Sequence, residues 1–243
     1  MAGAPESPSP LPGQQRPRSR FAAGLPAVTA ERIVDAALRL TVERGLDSWT
    51  LRQLASAVEA YPAVIYHHVG DRESVVRAVI ERVGEEIPLP DANLHWRDFY
   101  WQLLADLRVV LRRYPGVARR FSLYGPLIPS IKPLIDRGVR VLQRDGFGEE
   151  SVTAYNLLLG TAAALVSKED DHLAQPLIKP DSPETYAEAR DSEDQPGLAA
   201  LGRNVYERVK DPERLIAHFT EFYDYSVQIA LDGLERRLTR IHP

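Results

Sequence analysis

Apolar residues recur along this chain at three- and four-residue intervals, and no segment alternates with a period of two, so the pattern predicts helices and no sheet. Ile33, Ala36, Ala37 and Leu40 mark one face of a first helix. Thr29 opens it as an N-cap, Glu31 sits in its positive first turn, and Gly45 stops it. Leu51, Leu54, Ala55 and Val58 form the stripe of a short second helix, which starts at a Thr50/Gln53 capping box and leaves Arg52, Gln53 and Ser56 outward. Pro62 suits the first turn of a third helix, expected from Pro62 to His68. Gly70 and Asp71 break it, and Asp71 caps a fourth whose buried face is Val75, Val76, Val79, Ile80 and Val83.

Beyond Pro88 and Pro90 the helices lengthen. Tyr100, Leu103, Leu104, Leu107, Val110 and Leu111 predict an amphipathic helix ending near Tyr114, Pro115 and Gly116. Shorter helices are expected over 117–123 and 131–142. The segment 149–167 is apolar around so much of its circumference that burial is expected, in the core or at a subunit interface. From Lys168 to about Gly197 the chain is acidic and carries Pro176, Pro180, Pro183 and Pro196, which predicts a long loop or lid. Glu169, Asp170, Asp171 and His172 within it read as a solvated charge run rather than an ion site. A last long helix follows, from about Asp211 to Ile241.

Composition narrows the class. With 243 residues, 44% hydrophobic and 26% charged, the chain has the make-up of a soluble globular protein of two domains. It has no cysteine, hence neither disulfides nor thiolate metal sites, which suits a reducing cytosol. No apolar run approaches the roughly 20 residues of a membrane helix. No membrane association is expected, and a cytoplasmic location is. His67 and His68 are adjacent, so they do not face one way on a helix, and no metal or other cofactor is expected. Residues 1–26, rich in Pro, Ser, Gly and Gln, are expected to be a disordered tail. Its Arg16, Arg18 and Arg20 read either as part of a solvated linker or as an arm reaching a minor groove. The formal charge of −4 excludes indiscriminate coating of nucleic acid.

Three helices with a short second, a tight turn and a third form the helix-turn-helix plan, whose third helix lies in the major groove. Thr29, Ile33, Ala36, Ala37, Gly45, then Thr50, Leu51, Arg52, Leu54 and Ala55, then Tyr66, His68, Val69, Asp71, Arg72 and Val75, together resemble the DNA-binding domain of TetR-family transcriptional regulators. Gly125, Pro126 and Leu127, and the ending Leu231 to Glu235, are similar to the tetracycline-repressor type. The resemblance implies an all-α fold: a helix-turn-helix domain over 27–87 and a larger helical ligand-binding and dimerisation domain over 88–243. Two departures stand out. Glu59 occupies the turn where the family has glycine, and Tyr61 replaces a small polar cap.

The outward residues of the head divide into two groups. Arg52 suits a guanine edge or a phosphate, and Tyr61, Pro62 and Ala63 face the bases. Thr50 and its helix start suit a phosphate. The resemblance assigns Tyr66, His68 and Arg72 to the DNA backbone, with a packed aromatic as the other reading of Tyr66. Residues 27–84 hold seven arginines, no lysine and eight acidic residues, a net of −1, so binding is expected to need a few placed cations and the avidity of a homodimer.

In the body, the resemblance implies a four-helix dimer core from 149–167 and the last helix, through Leu158, Leu159, Ala162, Val166, Phe222, Ser226 and Ile229. The helices between are expected to enclose a pocket for a small-molecule effector, lined by Trp101, Leu104, Arg108, Phe121, Tyr124, Leu127 and Tyr155, with plain hydrophobic packing as the other reading of each. The function these parts imply is a repressor that binds a pseudo-palindromic duplex-DNA operator as a dimer and is released by the effector. The alternative is a helical small-molecule-binding protein or enzyme that has lost DNA recognition. Against an enzyme, the chain lacks a Gly-x-Ser-x-Gly elbow, a phosphate loop and a His-Glu-x-x-His pair.

Overall fold

The computed structural model describes residues 27–124, 128–174, 182–209 and 212–241. The tail with Arg16 to Arg20, and Gly125 to Leu127, lie outside them. The described residues are helical without a strand. A head of four helices comes first: α1 (Ala30–Arg44), α2 (Leu51–Ala57), α3 (Pro62–His68) and α4 (Arg72–Glu85). The body follows with α5 (Trp96–Arg112), α6 (Val117–Tyr124), α7 (Lys132–Leu142), α8 (Ser151–Ala174), α9 (Ser182–Arg190), α10 (Pro196–Val209) and α11 (Pro212–Ile241). A single hydrophobic core runs from Val28 in the head to Leu234 in α11.

Local chemistry places the head helices where the pattern puts them. Thr29 Oγ1 accepts from Arg32 N at 3.2 Å, and Asp71 Oδ1 accepts from Ser74 N at 2.8 Å. The capping box closes both ways: Gln53 N donates to Thr50 Oγ1 and Thr50 N donates to Gln53 Oε1. Pro62 opens α3, and Tyr61 before it gives no side-chain cap. Glu59 keeps the left-handed turn, with φ 53°, and Ala60 N donates to Ala55 O at 2.8 Å across it. The carboxylate side chain therefore sits where glycine would be about 1–2 kcal/mol cheaper in backbone strain.

The acidic lid expected from Lys168 onward does not form in the described residues. Instead α8 continues to Ala174, carrying Glu169 and Asp170 inward, at 2% and 8% exposure. Two of the prolines start helices rather than break them: Pro183 lies in the first turn of α9 and Pro196 is the first residue of α10. The first two carboxylates of the acidic run are buried because donors meet them, while Asp171 stays exposed. Glu169 lies 3.1 Å from Arg108 and 2.9 Å from Arg112, and Asp170 Oδ2 accepts from Gly116 N at 2.9 Å.

Candidate nucleic-acid interface and body cavity

The two helices of the head's outer edge are held from behind. Trp49 is buried in the loop before α2, where its Nε1 donates to Thr41 Oγ1 at 3.0 Å and that hydroxyl donates to Ala37 O at 2.8 Å. Leu54, Ala55, Val58 and Ile65 anchor α2 and α3 in the core. The residues left exposed include Thr50, Arg52, Gln53 and Ser56 from α2 and its cap, then Tyr61, Ala63, Tyr66, His67 and His68 from α3 and its cap. Tyr61 is 79% and Tyr66 56% exposed, so Tyr66 is no packing residue. Pro62 is half-buried. His67 shares the outward face with Ala63 and Tyr66 at helical spacing, a position not singled out from the sequence.

Arg72 departs from its expected role. Its guanidinium turns inward, stacking 4.9 Å from the Trp49 ring centre and donating to Leu46 O at 2.9 Å and to Trp49 O at 3.4 Å. It bolts the loop before α2 to α4, and it is already hydrogen-bonded where a phosphate would need it free.

A cavity of about 490 Å³, open to solvent where Val152, Asn156 and Gly160 are exposed, lies between α5, α6, α7 and α8. Phe121 and Tyr155 line it, as expected from the sequence. Leu127 lies outside the described residues, and the other four expected lining residues lie elsewhere. Leu104 is in the core, Trp101 is 44% exposed on the outer side of α5, and Tyr124 lines a different cleft beside Arg77, Ala78 and Glu81. Arg108 is committed to Glu169 and to Thr220 Oγ1, each at 3.1 Å, with its guanidinium 5.1 Å from the Tyr223 ring centre. In their place stand Ile131, Ile135 and Val139, one stripe leading into α7, with Leu107, and with Val152, Asn156, Leu159, Gly160 and Ala163 of α8. The spacing of Ile131, Ile135 and Val139 is the signal that could have found the α7 wall.

Residues 33–79 match the model for bacterial regulatory proteins of the tetR family. This segment is a DNA-binding domain of the tetR-family type. Among curated relatives it is 28% identical over 145 residues to an HTH-type transcriptional regulator of Saccharopolyspora erythraea, over 57% of this chain and 61% of that protein's length. It is 24% identical over 160 residues to the class D tetracycline repressor protein of Escherichia coli, covering 63% of this chain and 72% of the repressor. Solved structures share the fold. Streptomyces coelicolor ActR in complex with actinorhodin superposes with a TM-score of 0.70 at 21% identity, over 88% of this chain and 99% of that one. TetR from Acinetobacter baumannii gives 0.65 at 20% identity, over 87% and 99%.

The α8 residues expected at a dimer seam are turned inward. On α8, Leu158, Ala162 and Val166 are buried in the chain's own core, and Leu159 lines the cavity. The residues of α8 turned outward are instead Thr153, Asn156, Leu157, Gly160 and Ala164. A helix apolar nearly all round does not declare which side is inward, and a shift of one residue turns the face by about 100°. On α11, Phe222 is 40% and Ile229 53% exposed, Tyr225 is exposed as well, and Ser226 is half-buried.

Head and body are joined at the turn between α5 and α6. Leu46 N donates to Pro115 O at 2.8 Å, Asp170 of α8 takes the next amide, Gly116 N, and Arg120 pairs with Asp47 at 3.0 Å. Burial pushes the Asp170 carboxyl up to about 6, the charges of Glu169 and Asp171 add to this, and the Gly116 amide and Arg112 oppose it. The folded pKa lies above the unfolded value, so the folded state takes up a proton as pH falls through about 6, and the stability from this group is lost as pH rises through that value. Asp170→Asn is therefore expected to raise stability at pH 7.5 by roughly 1–3 kcal/mol and to flatten the dependence between pH 4 and 6. Urea unfolding at pH 5 and 7.5 checks this; a loss greater at pH 7.5 than at pH 5 would refute it.

Proposed function

We propose that the chain is a ligand-responsive transcriptional regulator that binds a pseudo-palindromic operator as a homodimer and is released by a small molecule held in the body cavity. One observation carries the DNA-binding part. Arg52, Tyr61, Ala63, Tyr66 and His68 are all exposed on the helix-turn-helix, while Leu54, Ala55, Val58 and Ile65 of the same segment are consumed in packing. Arg52 then reads a guanine edge, Tyr61 and Ala63 meet bases, and Thr50, Tyr66 and His68 hold the sugar-phosphate backbone. Arg72 supports the surface from behind.

One such head makes too few contacts for tight binding, and a two-fold dimer sets two heads one DNA turn apart. The outward stripe Leu157, Phe222, Tyr225 and Ile229 supports a dimer seam on α8 and α11. Ligand that favours a dimer with the heads wrongly spaced lowers DNA affinity by its differential binding energy. Ligand-bound ActR, a fold neighbour, supports the assignment of the cavity as the effector site. The competing reading, a small-molecule-binding protein without DNA recognition, rests on the head's net charge of −1.

Selection from a random duplex library separates the two. The expected result is enrichment of a pseudo-palindrome with half-sites a whole number of turns apart. A lone unsymmetrical motif would refute the dimer, and no enrichment would refute the regulator.

A further inference from the structure

We infer that the body cavity selects an uncharged, largely apolar molecule with one or two hydrogen-bonding atoms, and excludes anions. The inference rests on the cavity being a ligand site and adds the chemistry of what enters. Its walls are Leu107, Ile135, Val139, Leu159 and their apolar neighbours, and the polar side chains among them are Tyr155 and Asn156. Among the described residues, no charged one lines it. The cation best placed to change that, Arg108, is bound to the buried carboxylate of Glu169 and faces Tyr223, away from the cavity. Lys132 and Arg140 lie on the adjoining groove beyond Ile135 and Val139, where Arg140 pairs with Asp136 at 3.5 Å.

A carboxylate or sulfonate seated against these walls would give up part of its hydration and meet no counter-charge on the lining, so its binding is penalised. A neutral molecule loses only apolar hydration, which favours binding. The polar end of such a molecule is met by Tyr155 and Asn156. Burial raises the Tyr155 phenol to about 12, so it stays a neutral donor. Beside its ring, the hydroxyl of Tyr100 is fully buried without a hydrogen-bond partner in the described structure, against Gly138, where any side chain would crowd it. Unmet polar capacity thus gathers beside Tyr155.

Two dyes sharing one skeleton test this on the full chain without DNA: neutral N-phenyl-1-naphthylamine, and 8-anilino-1-naphthalenesulfonate, which adds a sulfonate. Fluorescence titration is expected to give the neutral dye a Kd at least about tenfold lower, reflecting the missing counter-charge. Gly160→Leu places a side chain where no atom lies within 4 Å and improves helix propensity, so the fold is kept while the cavity fills. It is expected to weaken the neutral dye at least about tenfold, the effect of losing most buried contact. Asn156→Leu, at an exposed position, removes the amide and is expected to weaken the dye's N–H contact about threefold or more. Equal or tighter sulfonate binding, no binding of either dye, or unchanged affinity in Gly160→Leu each overturns the inference; unchanged affinity in Asn156→Leu overturns its polar part. Failure of operator selection leaves these outcomes standing, and failure here leaves the DNA-binding reading intact.

Discussion

Replacing Glu169 by alanine is expected to destabilise the fold by about 3–5 kcal/mol, among the largest effects a single substitution here can have. The side chain is 3% exposed and faces two guanidinium groups, Arg108 at 3.1 Å and Arg112 at 2.9 Å. Arg108 is itself 12% exposed, and its Nε has no partner in the described structure. Removing the carboxylate leaves Arg108 with Thr220 Oγ1 and the face of Tyr223, neither of which carries the opposite charge. The Tyr223 hydroxyl donates to Leu104 O at 2.7 Å, so disturbance there spreads to the packing of α11 on α5. Urea unfolding measures the loss. The double variant Glu169→Leu with Arg108→Met distinguishes charge from volume: it is expected to be milder than Glu169→Ala alone, because the uncompensated buried cation is gone. A loss below about 1 kcal/mol for Glu169→Ala, the range of a surface ion pair, would mean the pair is solvated.

Arg52→Ala combined with Tyr66→Ala is expected to abolish specific operator binding with little effect on stability. Losing a base contact costs about 1–3 kcal/mol per half-site, and a two-fold dimer doubles it. The total, roughly 2–6 kcal/mol, is about thirtyfold to ten-thousandfold in affinity. Both side chains point outward, so unfolding is expected to shift by no more than about 0.5 kcal/mol. A mobility-shift titration on the selected operator gives the affinity. Unchanged binding by the double variant would refute the helix-turn-helix reading. Arg72 offers the contrast: its loss frees the carbonyls of Leu46 and Trp49, so it acts on stability first.

What could be read from the sequence was what local chemistry decides. Thr29, the Thr50/Gln53 box, Pro62 and Asp71 set helix starts through neighbours three residues away, and all four stand as expected. Glu59 was legible as an anomaly, and its positive φ shows that the surrounding helices, packed through Leu54, Ala55 and Ile65, impose the turn on a residue that resists it. The rest required distant partners. The acidic run after Lys168 reads as solvated until Arg108 and Arg112, some 60 positions earlier, are brought beside Glu169. For the same reason Arg108 reads as a pocket residue and Arg72 as a phosphate ligand: a lone cation in a sequence does not name its anion or carbonyl. The faces of α8 escaped for the opposite cause, because apolar residues on nearly every side carry no orientation.

The head's charge has a kinetic consequence. Of its seven arginines, Arg72 is held by carbonyls, Arg82 lies near Asp35 and Glu85, and Arg77 rests over the Tyr124 ring, while Glu59 adds a carboxylate to the exposed turn before α3. Non-specific attachment to DNA grows with the number of cations that displace counterions from phosphates. If the proposed function holds, a head with so few of them is expected to leave random duplex quickly and to respond weakly to salt. Such a protein would find its target by many brief visits instead of long slides, with long residence only where Arg52 and α3 met their bases in both halves of the site.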